Sequence, residues 1–267
     1  MHKSKKRAFF AFDTHAPWPE TLPSGRLLKA EDRHMTLAFL GEVDESQLLH
    51  KLKEFPPPPF QVGLAGFFSA CVFLPPLHPN VVAWNIQWLD EDKQLIHYRA
   101  HFLEWLKSIG FHAKETNPDW LCHVTLSRKP FEKEQWLHSF TPLPFFISNI
   151  HLYESLGHSA YTPLWTYPLI SPFEEIEHTA DIAYLIKGEN LGQIYLHALA
   201  ALAFRFPAFL AYKKPKNFEN LDDVIIGLND VISETDAHIG CPFKAISFHG
   251  QLEQDDSILK WEMIVDV

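Results

Sequence analysis

Apolar positions recur along the chain with two distinct periods. Alternation, or a short fully apolar run, predicts strands near Ala8–Phe12, Met35–Leu40, Phe60–Phe67, Val81–Trp88, Cys122–Ser127, Phe145–Tyr153 and Pro163–Leu169. Helical spacing predicts helices over Glu45–Glu54 and Lys93–Ile109. In the second, Leu95, Tyr98, Phe102, Leu103, Leu106 and Ile109 form one stripe, and Gly110 terminates it. Further on, Leu191–Phe206 and Leu221–Ser233 read as helices. Asn220 is placed to cap the latter, with Leu221, Val224, Ile225, Leu228, Val231 and Ile232 on one face. Strands follow at Phe243–His249 and Ile258–Val265. Strands and helices interleave throughout, so the class is mixed α/β or α+β.

Composition narrows this picture. The 267 residues are 46% hydrophobic and 14% aromatic, ample for a packed core in one large domain or two small ones. No apolar run approaches the roughly 18–20 residues that span a bilayer, so no membrane partner is expected. The basic start, Met1 to Arg7, lacks the apolar stretch and cleavage site of a secretory signal. Cys71, Cys122 and Cys241 have no metal-site spacing and make no disulfide framework, which fits a reducing cytoplasm.

Charge divides the chain. Through Ser171 there are 16 Lys and Arg against 17 Asp and Glu; from Pro172 onward there are 7 against 16. The front is near neutral and carries 12 of the 16 histidines. The acidic back part is a poor non-specific nucleic-acid binder, because phosphate affinity comes from Lys and Arg displacing counterions. The change falls at Leu169-Ile170-Ser171-Pro172, which suggests domains over 1–171 and 172–267. Pro56 to Pro59 is a rigid extended spacer rather than a boundary.

One internal echo carries chemistry. His34-Met35-Thr36-Leu37 recurs as His123-Val124-Thr125-Leu126. Both copies lie in strand-like runs, where side chains alternate faces, so each His and its Thr point the same way. Two such strands side by side make a cleft with two imidazoles and two hydroxyls, suited to splitting a phosphodiester. One neutral imidazole removes a proton from the attacking water, and the other, protonated, gives one to the departing oxygen. An ordinary imidazole pKa near 6.5 lets both forms coexist. The Thr hydroxyls hold the non-bridging oxygens. Which His is acid and which is base is open at this level. A zinc site would want further Cys, His or carboxylate ligands, and neither motif supplies one nearby.

The front part resembles the two-histidine (2H) phosphoesterases of the LigT/ThpR RNA 2′,3′-cyclic phosphodiesterase type. The resemblance runs over Arg7 to Phe12, His34 to Gly41, His123 to Arg128, Leu152 to Ser155 and Tyr161 to Leu169. It implies a two-lobed, pseudo-symmetric α+β fold and metal-free hydrolysis of an RNA 2′,3′-cyclic phosphate end to a 2′-phosphate. By it, His34 and His123 are catalytic, while Thr36, Thr125 and Arg128 bind the phosphate. Strand parity sends Arg128 away from His123 unless the strand ends or bulges there. Phe9 and Phe12 are weaker candidates for base stacking.

In the back part, Asp181 precedes a strand and Asp266 is followed by Val267, whose carboxylate would be a second hard oxygen ligand. If the last strand lies beside the first, these three make a divalent-cation site. Residues 173–267 resemble archease, the protein cofactor of RtcB-type RNA ligases, on Phe173 to Asp181, Leu196 to Leu202, Phe243 to Gly250 and Ile264 to Val267. The stretch from Leu210 to Gly240 is shorter than in that family. The resemblance implies Asp181, Asp266 and Val267 as ligands of Ca2+ or Mg2+, a small α+β archease-like domain, and an RtcB-type ligase as partner. His178 is expected behind a ligand, His249 as structural, and Lys213-Lys214-Pro215-Lys216 as a basic turn. Two other functions stay open: an adaptor that binds RNA ends and activates a ligase, and a diesterase for small cyclic nucleotides.

Overall fold

A computed structural model describes residues 5–90, 93–114, 120–179, 181–214, 217–248 and 250–267. In chain order its strands and helices are β1 (Lys5–His15), β2 (Arg26–Leu27), β3 (His34–Asp44), α1 (Glu45–Lys51), β4 (Ala65–Leu74), β5 (Val81–Trp88), α2 (Lys93–Ser108), β6 (His123–Arg128), α3 (Lys133–Ser139), β7 (Pro144–Gly157) and β8 (Ala160–Pro168). There follow β9 (Phe173–Ile176), β10 (Ile182–Gly188), α4 (Leu191–Arg205), α5 (Leu221–Ile239), β11 (Ala245–Ile246), β12 (Leu252–Asp255) and β13 (Ile258–Asp266). His249, Ala180, Pro215 and Lys216 lie outside the described residues.

The first eight strands form one antiparallel sheet in the order β1-β3-β6-β5-β4-β7-β8, with β2 on β6. β7 also pairs with β1, so six strands close into a barrel. Closure removes the open edges of those six strands. The closure is weakest between β3 and β6, which share the single pair Met35↔Val124 among the described residues. That one pair lies between the two His-x-Thr motifs.

The α2 stripe packs as its spacing predicts: Leu95, Tyr98, Phe102 and Leu106 are buried in the main core, with Leu103 and Ile109 against it. Phe10 and Phe12 enter the same core from β1. The chain from Phe60 to Leu64, expected as strand, makes only an isolated parallel bridge, Val62↔Ile170, and the strand runs over Ala65–Leu74. Pairing with β5 and β7 decides this, from Gly66↔Trp88 to Leu74↔Val81 on one side and Ala65↔Phe146 on the other.

The last five strands make a second antiparallel sheet, β11-β13-β10-β9 with β12 on β13. Helices α4 and α5 cover it. Asn190 and Asn220 cap them, each side-chain oxygen accepting the N–H three residues on at 3.0 Å. α5 continues past Ser233 to Ile239 and stops at Gly240, whose φ of 77° lies in the left-handed region. The Phe243–His249 strand shrinks to Ala245–Ile246. α4 is buried almost all round, because it packs on its own sheet and also on β4 and β7 of the first. Ala65 and Phe146 of the first sheet, and Leu89 just after β5, therefore belong to the second sheet's core. Among the described residues, no helix is long and apolar enough to cross a membrane.

Candidate functional site

β3 and β6 carry the two motifs and treat them alike. Along His34–Phe39 and along His123–Arg128 the burial pattern is the same: half-buried, buried, half-buried, buried, buried, half-buried. Two consecutive buried residues break the alternation. The cause is a β-bulge at the Leu of each motif. β1 pairs Phe10↔Ala38 and then Ala11↔Thr36, which leaves Leu37 unpaired. β5 pairs Val82↔Ser127 and then Ala83↔Thr125, which leaves Leu126 unpaired. Each bulge restores the fifth residue after the His to the His-Thr face. In β6 that residue is Arg128, so the parity objection to it is removed. In β3 it is Phe39.

The faces converge on one cavity of 400 Å³ lined by His34, Thr36, Phe39, His123, Thr125, Arg128 and Tyr161, with Asn80 at its side. The structure thus brings all five sequence-predicted phosphoesterase residues together. Neither threonine hydroxyl bonds to a described protein group, and Arg128 has no carboxylate partner among the described residues. Each is free for a ligand. Phe9 and Phe12 are not platforms: they are 3% and 0% exposed. Phe9 instead lies under His34, ring centroids 4.8 Å apart, and Tyr161 meets the same imidazole edge-on at 4.9 Å. Phe39 is the half-buried aromatic of the cavity wall, with the Arg7 guanidinium 5.0 Å from its ring centre.

Both imidazoles are held in one orientation. His34 Nδ1 lies 2.8 Å from the Asp32 carbonyl, and His123 Nδ1 lies 2.8 Å from the Leu121 carbonyl, two residues back in each case. A carbonyl only accepts, so Nδ1 carries the proton and Nε2 is left for substrate. Burial lowers the pKa of both. His34 falls to about 4, through burial first and then repulsion from His123, Arg128 and His151; its bond to Asp32 opposes the shift. His123 is lowered by burial, against the pull of the Leu121 carbonyl. In the free protein near pH 7 both rings are neutral.

The bulges need support, because an unpaired strand residue leaves its carbonyl without a ladder partner. Leu37 O accepts from Arg99 Nε at 3.1 Å, and the neighbouring Thr36 O accepts from Trp120 Nε1 at 3.2 Å. The Arg99 guanidinium stacks on the Trp120 ring at 4.7 Å. On the other strand Leu126 O accepts from Leu28 N at 2.9 Å. Leu28 O accepts from Arg33, whose guanidinium stacks on Trp18 at 4.6 Å. An Arg–Trp pair thus braces each motif. Sequence reasoning missed Phe39, Tyr161, Arg99 and Trp120. The signal for Phe39 was its offset of five from His34, matching that of Arg128 from His123.

The predicted metal ligands sit elsewhere, at one end of the second sheet. Ile182↔Val265 is the terminal pair of β10 and β13, and Asp181 and Asp266 are the next residues along the chain from it. His178 Nδ1 lies 4.0 Å from Asp181 Oδ2 and accepts from Asp181 N. Lys244 Nζ donates to the Val267 carbonyl oxygen. No group of three or more His, Cys, Asp or Glu able to hold a metal occurs among the described residues. Two carboxylates are suitable hard donors but supply a minority of the oxygens that Ca2+ or Mg2+ takes. In the basic turn, Lys213 donates to Leu89 O and Lys214 pairs with Glu234, so neither ammonium stands free.

No family model and no curated protein matches the chain. Solved structures do. Escherichia coli LigT complexed with 3′-AMP is 22% identical, with a TM-score of 0.46 over 62% of this chain and 99% of that one. The crystal structure of a phosphoesterase is 23% identical at the same TM-score and coverage. TT0787 of Thermus thermophilus is 16% identical with a TM-score of 0.46, over 62% of this chain and 98% of that one.

Proposed function

We propose that the front module hydrolyses the 2′,3′-cyclic phosphate at an RNA end and leaves a 2′-phosphate. The observation that carries this reading is the pair of free Nε2 atoms aimed into one cavity beside two unpartnered hydroxyls and a guanidinium. Water attacks phosphorus as one imidazole takes its proton. The bond from phosphorus to the 3′-oxygen breaks, and the other imidazole, protonated, gives its proton to that oxygen. Thr36, Thr125 and Arg128 hold the non-bridging oxygens as charge builds on them. Phe39 offers the base a flat face. The two imidazoles supply both proton transfers, so the reaction requires no metal as written. An RNA carrying the cyclic end, incubated with the protein in chelator, is expected to yield the 2′-phosphate. A 3′-phosphate product would reverse the leaving group, and no product would reject the reading. Cyclic mononucleotides in the same assay report whether smaller substrates are also used.

A second proposal concerns the acidic module. The pairing of Ile182 with Val265, which brings the neighbouring Asp181 and Asp266 to one end of the sheet, supports reading it as archease-like, holding a divalent cation there and promoting guanylylation of an RtcB-type ligase. Titration calorimetry with Ca2+ and with Mg2+ on the full chain is expected to give binding that Asp266→Asn abolishes. Ligase guanylylation should be faster with the chain present. The absence of both effects ends this proposal and leaves the first untouched.

A further inference from the structure

The cavity that holds the two motifs has a larger neighbour. A second cavity, of 830 Å³, lies beside the His34 strand, and Tyr161 stands in the wall of both. Asp32, whose carbonyl fixes His34, lines the larger one. Phe146 and Tyr153 come to it from β7 of the first sheet, Trp18 from the loop after β1, and Phe204 from α4, which covers the second sheet. His15 is half-exposed at 48%, its ring stacked on Phe146 with centroids 4.9 Å apart and its Nε2 2.8 Å from Ser148 Oγ.

The polar groups here are divided in what they can accept. Asp13 is saturated: it accepts from Ser148 and Asn149 and has His15 and His151 each at 3.5 Å. Burial would push its carboxyl up, but His15, His151 and Asn149 outweigh burial and hold it well below the usual range. Arg33 is different. It is 7% exposed, two of its nitrogens donate to Leu28 O, and its Nη1 is buried with no partner. That nitrogen is closed off from solvent, so Arg33 contributes charge to the cavity wall rather than a free donor at that atom. Glu31 and Asp32 also line the cavity.

We propose that this second cavity is a subsite for the nucleotide on the 5′ side of the cyclic phosphate, so that the preferred substrate is an RNA chain end rather than a free mononucleotide. The inference rests on the diesterase reading above. A 2′,3′-cyclic phosphate ties up both lower oxygens of its ribose, so the rest of the chain leaves through the 5′-oxygen. The next base needs a flat, largely apolar cavity next to the first, and the shared Tyr161 wall provides the continuity. Aromatic walls suit a base of any identity. Glu31 and Asp32 suit exocyclic amines. The volume falls within the roughly 300–1,000 Å³ of small-molecule sites. Phe204 makes the subsite a joint product of both modules.

The test compares a nucleoside 2′,3′-cyclic phosphate with the dinucleotide bearing the same end. Turnover is measured on both, and calorimetry measures binding of the two 2′-phosphate products. One stacked base is worth about 1–3 kcal/mol, so the dinucleotide should show a KM and product Kd about tenfold lower or better. That ratio should fall toward one in His15→Ala, and in Phe204→Ala if that variant keeps its fold. Equal values for both lengths, with turnover intact, would overturn the subsite and leave the diesterase reading standing. Tighter dinucleotide binding that His15→Ala and Phe204→Ala both retain would overturn its location. Tighter binding lost in His15→Ala, with no turnover of either compound, would support the subsite and reject the diesterase.

Discussion

His34 and His123 do the same thing by the same means: a carbonyl two residues back takes Nδ1, and Nε2 is presented to the cavity. Their lowered pKa values set the pH dependence. A base works above its pKa and an acid below it, so both limbs of kcat/KM, which reports the free protein, should lie below pH 6.5, with one near 4. A bound phosphate anion favours imidazolium, so the kcat profile should lie at higher pH than that of kcat/KM; a steady-state pH series checks both. If the threonines hold the phosphate as proposed, Thr36→Val and Thr125→Val each remove one hydrogen bond to a charged oxygen, worth about 1.5–3 kcal/mol, and should each lower kcat/KM roughly 10- to 100-fold. The His-x-Thr pairs were legible because a repeat of polar residues at period two needs no knowledge of pairing. Arg128 was legible only as a resemblance, and Phe39 went unread although it carries the same offset of five, because the facing of both depends on a bulge.

At the element scale the bulges decide the site. They sit at Leu37 and Leu126, and an Arg–Trp pair supports each. Trp120→Phe keeps a ring under Arg99 but deletes the N–H that Thr36 O accepts. Its expected effect is a drop of about tenfold in kcat, through a displaced Thr36, with KM changed less; the protein should still unfold cooperatively, since one buried acceptor costs about 1–3 kcal/mol. A loss confined to thermal stability would show that Trp120 only supports the fold. Strand β4 shows why pattern reading fails locally. From Phe60 to Leu74 the run is too continuously apolar to choose its paired half, and pairing with β5 and β7 makes the choice. α3 was missed because its seven residues bury only Trp136, and β9 because Phe-Glu-Glu-Ile has one apolar residue at each end of an edge strand.

At the scale of the whole molecule, two sheets share one helix. α4 was legible as a helix, but its double burial was not: an all-round apolar surface states that a helix is covered, not by what. His197 in α4 is buried, its Nδ1 2.6 Å from Lys187 O, and burial lowers its pKa to about 4. The unfolded chain protonates this ring from about 6.5 downward and the folded chain does not. Stability should therefore fall as pH drops from 6.5 toward 4, by up to about 1.4 kcal/mol per pH unit for each such imidazole, His34 included. Thermal melts across that window should show a shallower decline in His197→Gln. A melting temperature independent of pH there would mean that the ring is not desolvated.

The central claim is that two imidazoles share one proton-transfer reaction. It is tested most directly by kcat/KM on an RNA 2′,3′-cyclic phosphate in chelator for the wild type, His34→Ala and His123→Ala. An acid–base pair predicts a loss of about 100-fold or more in each variant, the usual scale of general acid–base catalysis. Wild-type turnover in either variant would contradict it.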